Sequence, residues 1–366
     1  MNRALWILGA VLLTLPLPGC DSDSPTESTP PDPPGPEVTR AVKGVALSPA
    51  GFPETFDEFP AFIQEASSLP DAGVMWNGPW RDDVLEGSDA GQLPEAARVI
   101  AMQAEPHGYS PILVFGWRGP EQPHIRIPDN PVNHWGNEDA AALYVDVVAN
   151  MASEHSPPFL FLGNESDLYF DQDPEDYQRW VEVYETAYSR IKEVSPETRV
   201  GPIFQYERMA GIGALAAQTT ESWGALTAHD LDRVDMVGIT LYPFFAHETP
   251  AAVPDDYLDP LASRIGDTPI AITETGWPAE TPEGFQPPWE ASETHQVTFL
   301  ATLERVLSGK EVPLVTWVWL HPPAAPTGGG LTPLEWNIFS SLSLRRASGE
   351  KRPVYAAWRD FSLESP

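Results

Sequence analysis

A single cysteine in 366 residues leaves no intramolecular disulfide framework, no thiolate set for a metal and no thiol nucleophile in the body of the chain. Positive charge is also scarce. With 21 Lys and Arg against 53 Asp and Glu, the formal charge of −32 would repel nucleic acid and anionic lipid headgroups, both of which bind through basic side chains. Neutral or cationic partners are expected instead. The eight histidines are scattered, with no His-Glu-x-x-His and no carboxylate-rich calcium loop, so neither a metal nor a cofactor is expected. Gly328-Gly329-Gly330 lacks the Lys-Ser/Thr of a phosphate cradle. After the N-terminus no apolar run is long enough to span a bilayer.

What is present is an apolar, aromatic-rich body, with 13 Trp, 15 Phe and 10 Tyr, behind an export-type leader. Arg3 is the charged head, Ala4 to Leu17 the apolar core, and Leu17-Pro18-Gly19-Cys20 the processing site. That end resembles a bacterial lipobox, which implies lipidation of Cys20; Pro18 departs from the small residue usual there, and ordinary signal cleavage nearby stands as the alternative. Asp21 to Glu37 are rich in Ser, Thr, Asp and Pro and cannot bury a core, so they read as an extended tether. The organisation is a signal peptide over 1–19, a Pro-rich linker over 20–38 and one folded domain over 39–366. The location expected is extracytoplasmic, on the periplasmic face or cell surface, with the membrane touched only through the lipid and the protein a monomer.

Within the folded part, short runs rich in Val, Ile and Phe alternate with polar turns and helical patterns, which specifies a parallel sheet with helices outside it. The runs are Gly44 to Leu47, Gly73 to Trp76, Pro111 to Gly116, Phe159 to Gly163, Val200 to Phe204, Met236 to Leu241, Ile270 to Thr273 and Leu314 to Leu320. Eight such runs, about forty residues apart, predict an α/β fold of the (β/α)8 TIM-barrel type. The clearest helix starts at Asp173-Pro174, a cap followed by a first-turn proline; Glu138 to Met151 and Val297 to Leu307 behave similarly.

A parallel barrel places its active site at the carboxyl ends of the strands. The fourth run stops at Gly163-Asn164-Glu165, and the seventh ends Ile272-Thr273-Glu274-Thr275-Gly276-Trp277-Pro278. Two carboxyl groups facing one cavity are what glycosidic cleavage needs, one to protonate the departing oxygen and one to attack the anomeric carbon or activate water. For retention they would stand about 5 Å apart.

On these residues the chain resembles the clan A glycoside hydrolases, barrels whose acid/base follows an Asn at the end of strand four and whose nucleophile ends strand seven. The Thr-Glu-Thr-Gly-Trp-Pro segment is similar to that of endo-β-1,4-galactanases and plant-type endo-β-1,3-glucanases. The resemblance implies a retaining hydrolase with Glu165 as acid/base and Glu274 as nucleophile, cleaving a β-linked polysaccharide internally in preference to its ends. It further implies that Asn164 holds a sugar hydroxyl, that Tyr242 hydrogen-bonds the nucleophile, and that Trp317 or Trp319 floors the cleavage subsite. Trp76, Trp80, Arg81, Trp117, Arg118, Trp277 and His321 fall where other sugar contacts would sit.

A structural role competes for each of these. Either glutamate could cap a helix, Tyr242 could pack on Pro243, and Trp317 or Trp319 could be core. Arg81 could pair with Asp82 or Asp83, and His321 could be a plain loop residue. Two other functions stay open: a surface glycan-binding lipoprotein without turnover, and a β-glucan transglycosylase in which a sugar hydroxyl replaces water.

Overall fold

The apolar runs become strands, and the computed structural model describes residues 40–53, 55–80, 93–116, 132, 134–213, 220–324 and 332–364. Cys20, the leader and the tether, together with Arg81, Trp117 and Arg118, lie outside the described residues. Nine strand segments are found among the described residues: β1 Val42–Ala46, β2 Ala72–Pro79, β3 Ser110–Gly116, β4 Phe159–Leu162, β5 Arg199–Gly201, β6 Ile203–Gln205, β7 Val237–Leu241, β8 Ile270–Thr275 and β9 Leu314–Trp317. All pair in parallel, in the order β5-β4-β3-β2-β1-β9-β8-β7-β6.

β5 and β6 are the two halves of the fifth barrel strand, divided only by Pro202. A proline has no N–H to continue a ladder, so pairing changes hands there. β5 pairs with β4 on one side, β6 pairs with β7 on the other, and Pro202 contributes its carbonyl to the Gly238 N–H at 2.9 Å. The eight-run pattern thus folds as a (β/α)8 barrel in which β8 and β9 are the seventh and eighth strands.

Alternation along the strands divides the apolar residues between two layers. Met75, Ile112, Val114, Phe159, Phe161, Ile203, Met236, Ala271 and Leu314 fill the barrel axis. Their neighbours Leu113, Leu160, Leu162, Ile272, Val315 and Trp317 face the surrounding helices. Gly44 makes room for this interior, since a Cβ there would fall 2.4 Å from Thr316 Oγ1 and 2.9 Å from Ile112 Cδ1.

Two helices start where the sequence expects, and the third, expected from Val297, starts four residues earlier at Glu293. Helix Pro174–Val194 is capped by Asp173, whose side chain accepts the Asp176 N–H, and it buries Tyr177, Trp180, Val181, Tyr184 and Ile191 on one face. Helix Glu138–His155 is capped by Asn137 and helix Glu293–Leu307 by Ser292, each longer than its periodic core.

Candidate active site

Glu165 leaves the barrel wall through a tight turn. After Leu162 the chain passes Gly163 at φ +79° and Glu165 itself at φ +47°, a left-handed conformation that costs a non-glycine residue on the order of 1 kcal/mol. The turn is held from both flanks: the Gly163 N–H donates to Phe115 O at 2.9 Å and the Ser166 N–H to Ile203 O at 3.0 Å. Its side chain then crosses toward β7, where the Thr240 hydroxyl donates to Glu165 Oε1 at 2.8 Å.

Glu274 arrives by a different device. Ala271 faces the axis while Ile270 and Ile272 face the helices, so strict alternation would send Glu274 outward with the isoleucines. The register slips instead. Ile239 pairs with Ile272, but its successor Thr240 pairs with Glu274, leaving Thr273 as a surplus residue; the pairing with β9 shifts over the same stretch. Such a bulge re-aims the side chains beyond it. The hydroxyls of Thr273 and Thr275 donate to the carbonyls of Ile239 and Leu241, which fixes the bulge against β7.

So aimed, Glu274 accepts two hydrogen bonds, from Asn77 Nδ2 to Oε1 at 3.0 Å and from the Tyr242 hydroxyl to Oε2 at 2.8 Å. Tyr242 is itself fixed at both ends. Its backbone N–H donates to Glu207 Oε1 at 2.8 Å, its ring packs on Phe244, Phe245 and Phe339, and Tyr257 donates to the same Glu207 oxygen. Thr240 and Tyr242, two positions apart in sequence, therefore hold one carboxyl each.

The electrostatics separate the two carboxyls. Burial, then the neighbouring charge of Glu274, then that of Asp167, push Glu165 up to about 8, against which the Thr240 hydrogen bond pulls only partly. Burial also raises Glu274, but there the Tyr242 and Asn77 donors oppose it by stabilising the anion. Glu165 is thus held toward its protonated form, while Glu274 faces two fixed donors that favour the anion. Two further buried carboxyls surround them, both raised by burial to about 7: Asp167, which accepts the Gln205 N–H and lies 3.5 Å from Arg208 Nε, and Glu207 behind Tyr242.

Of the expected aromatics, Trp76 and Trp319 line a cleft of about 430 Å3 together with Asn77, Glu274, Phe52, Phe56 and Trp336. Asn164 Oδ1 and Trp319 Nε1 are buried without a hydrogen-bond partner in the described structure. Three other tryptophans are core residues, and a contact role for them is corrected here. Trp317 faces the helices, donates to Leu342 O and packs on Trp358 and Phe299; Trp277 donates to Glu290 O and packs on Phe299; Trp80 is enclosed against Tyr144. His321 is likewise placed away from the cleft lining, 3.9 Å from Glu65, a carboxylate that Arg345 also holds.

Sequence reasoning missed Asn77, Thr240, Phe52, Phe56 and Trp336. Asn77 carried a signal, being the first polar residue after an apolar strand run. Thr240 carried none, because a threonine inside Val-Gly-Ile-Thr-Leu reads as ordinary strand.

No protein-family model matches the chain, and no curated protein does. Solved structures do. A family 39 glycoside hydrolase from Bacteroides cellulosilyticus superposes with a TM-score of 0.57 at 19% identity, over 89% of this chain and 65% of that one. An exo-β-1,4-mannosidase from an Opitutaceae bacterium gives 0.61 at 17%, over 88% and 59%. The GH53 catalytic domain of Ignisphaera aggregans gives 0.57 at 18%, over 87% and 95%. The chain thus spans less than two thirds of the first two, and at these identities the likeness establishes the barrel fold it shares with clan A glycoside hydrolases.

Proposed function

We propose that the barrel is a retaining glycoside hydrolase acting on a β-linked glycan of the galactan or glucan type, with Glu165 as acid/base and Glu274 as nucleophile. The observation that carries this reading is the opposed treatment of two adjacent carboxyls, a proton-retaining Glu165 beside a Glu274 that accepts hydrogen bonds from Asn77 and Tyr242.

In the first step Glu165 gives its proton to the glycosidic oxygen as Glu274 bonds the anomeric carbon, so the leaving group departs neutral. In the second, the Glu165 carboxylate takes a proton from water, and the hydroxide so formed displaces Glu274 from the sugar. Tyr242 and Asn77 keep the attacking oxygen on line. Asn164, with its carbonyl oxygen unpaired, is suited to accept from a sugar hydroxyl, and Trp76 and Trp319 to pack against apolar ring faces. The leader and Cys20 add the proposal that the enzyme is exported and held at a membrane by lipid, standing off on its Pro-rich tether.

The test is hydrolysis of β-1,4-galactan, β-1,3-glucan, xylan and mannan by the protein and by Glu274→Ala, with the anomer of the first product followed by NMR. Release that the substitution abolishes, with the β-anomer formed first, is the expected result. Release unchanged by the substitution, or an α-anomer first, overturns the assignment.

A further inference from the structure

We propose that the enzyme works from the non-reducing end of its substrate, seating a short glycone in the cleft between Glu274 and the joined loops that follow β1 and β9; this rests on the assignment of Glu165 and Glu274 above. The direction of the substrate follows from the chemistry. A nucleophile bonds the sugar that stays behind, while the acid stands beside the oxygen that leaves. The glycone must therefore extend from Glu274 away from Glu165, which sits beyond β4, and so toward β1, β2 and β9. The cleft on that side is lined by Glu274, Trp76 and Trp319, and Glu165 forms no part of its lining.

Among the described residues, the cleft across from Glu274 is bordered by two loops that are joined to each other. The loops that follow β1 and β9 are tied together by the Leu320 N–H donating to Ser48 Oγ at 2.9 Å and the Ala324 N–H donating to Phe52 O at 2.8 Å. Trp336 donates from Nε1 to Pro323 O at 3.2 Å and packs on Trp319 with ring centres 5.5 Å apart, while Phe52 stands edge-on to Phe56 at 5.3 Å. A polysaccharide passing through would have to part these contacts. The volume of about 430 Å3 lies toward the small end of the ~300–1,000 Å3 of small-molecule pockets, room for one or two sugar rings. This runs against the internal cleavage that the galactanase-like segment leads one to expect.

The experiment uses β-1,4-galactan, β-1,3-glucan, xylan and mannan oligosaccharides labelled at the reducing end, with and without a blocking group on the non-reducing terminal ring. Mono- or disaccharide from the unlabelled end as first product, and loss of hydrolysis on blocking, are expected. Trp336→Ala, which removes the ring and its tie to Pro323, should lengthen the first product. Internal fragments from the outset, or equal hydrolysis of blocked and free substrates, overturn the proposal while leaving the two glutamates in their roles. Should Trp336→Ala not fold, the wild-type product series decides alone. Absence of any hydrolysis that depends on Glu274 overturns the underlying assignment, and this inference with it.

Discussion

Replacing Glu165 by Gln is expected to stabilise the protein as it destroys the activity, and to do so only above acidic pH. The native carboxyl is raised from 4.5 to about 8, so between those values the folded state holds a proton that the unfolded chain has released. Its contribution to stability is therefore fully present below 4.5 and is lost as pH rises toward 8. Near pH 7 the loss amounts to ~2.5 pH units at ~1.4 kcal/mol each, or about 3 kcal/mol. The part of this group that solvent still reaches trims the figure to about 2–3 kcal/mol. Glutamine carries no proton to lose, and its amide oxygen can still accept from Thr240. Urea unfolding of both proteins should give equal midpoints near pH 4 and a higher midpoint for the variant near pH 7, with unchanged slopes. kcat/KM on natural glycosides should fall by about 10²–10⁴, whereas aryl glycosides bearing acidic leaving groups, whose first step needs no proton, should keep kcat/KM while their kcat falls because the second step has lost its base. A variant no more stable near pH 7, or an offset that ignores pH, would refute the reasoning.

Two further outcomes follow from the site. Tyr242→Phe keeps the packing on Phe244, Phe245 and Phe339 but removes a donor that lowers Glu274; the acid limb of the rate profile should move to higher pH and kcat should fall about a hundredfold, and an unmoved limb would count against Tyr242 as a positioning group. Trp317→Ala should cost about 3–5 kcal/mol of stability and leave KM alone, whereas Trp319→Ala should raise KM; the opposite pattern would mean that the two rings have been assigned to the wrong environments.

The barrel was legible because each buried parallel strand is a continuous apolar run, and eight such runs at near-even intervals admit few other folds. The interruption at Pro202 hid nothing, since its two halves read as one run. What resisted reading was aim. Trp317 and Trp319, two positions apart, should share a face, yet β9 ends at Trp317; the first packs against the helices and the second borders the cleft. Asn77 was overlooked because β2 runs on through Asn-Gly-Pro, residues that usually mark a strand's end. The loop aromatics Phe52, Phe56 and Trp336 reach the cleft through backbone ties between distant segments, which no local periodicity records.

The surplus residue in β8 gives the strand's body and its tip separate masters. Ile270 and Ile272 can be exchanged for other apolar residues by ordinary drift without turning the carboxylate, because its direction is set by the slip and not by the packing beneath it. Conversely, a variant that kept Thr273 but closed the slip, so that β8 paired regularly through its tip, would swing Glu274 toward the helices and leave a folded barrel with its aromatic cleft but no carboxyl at that place.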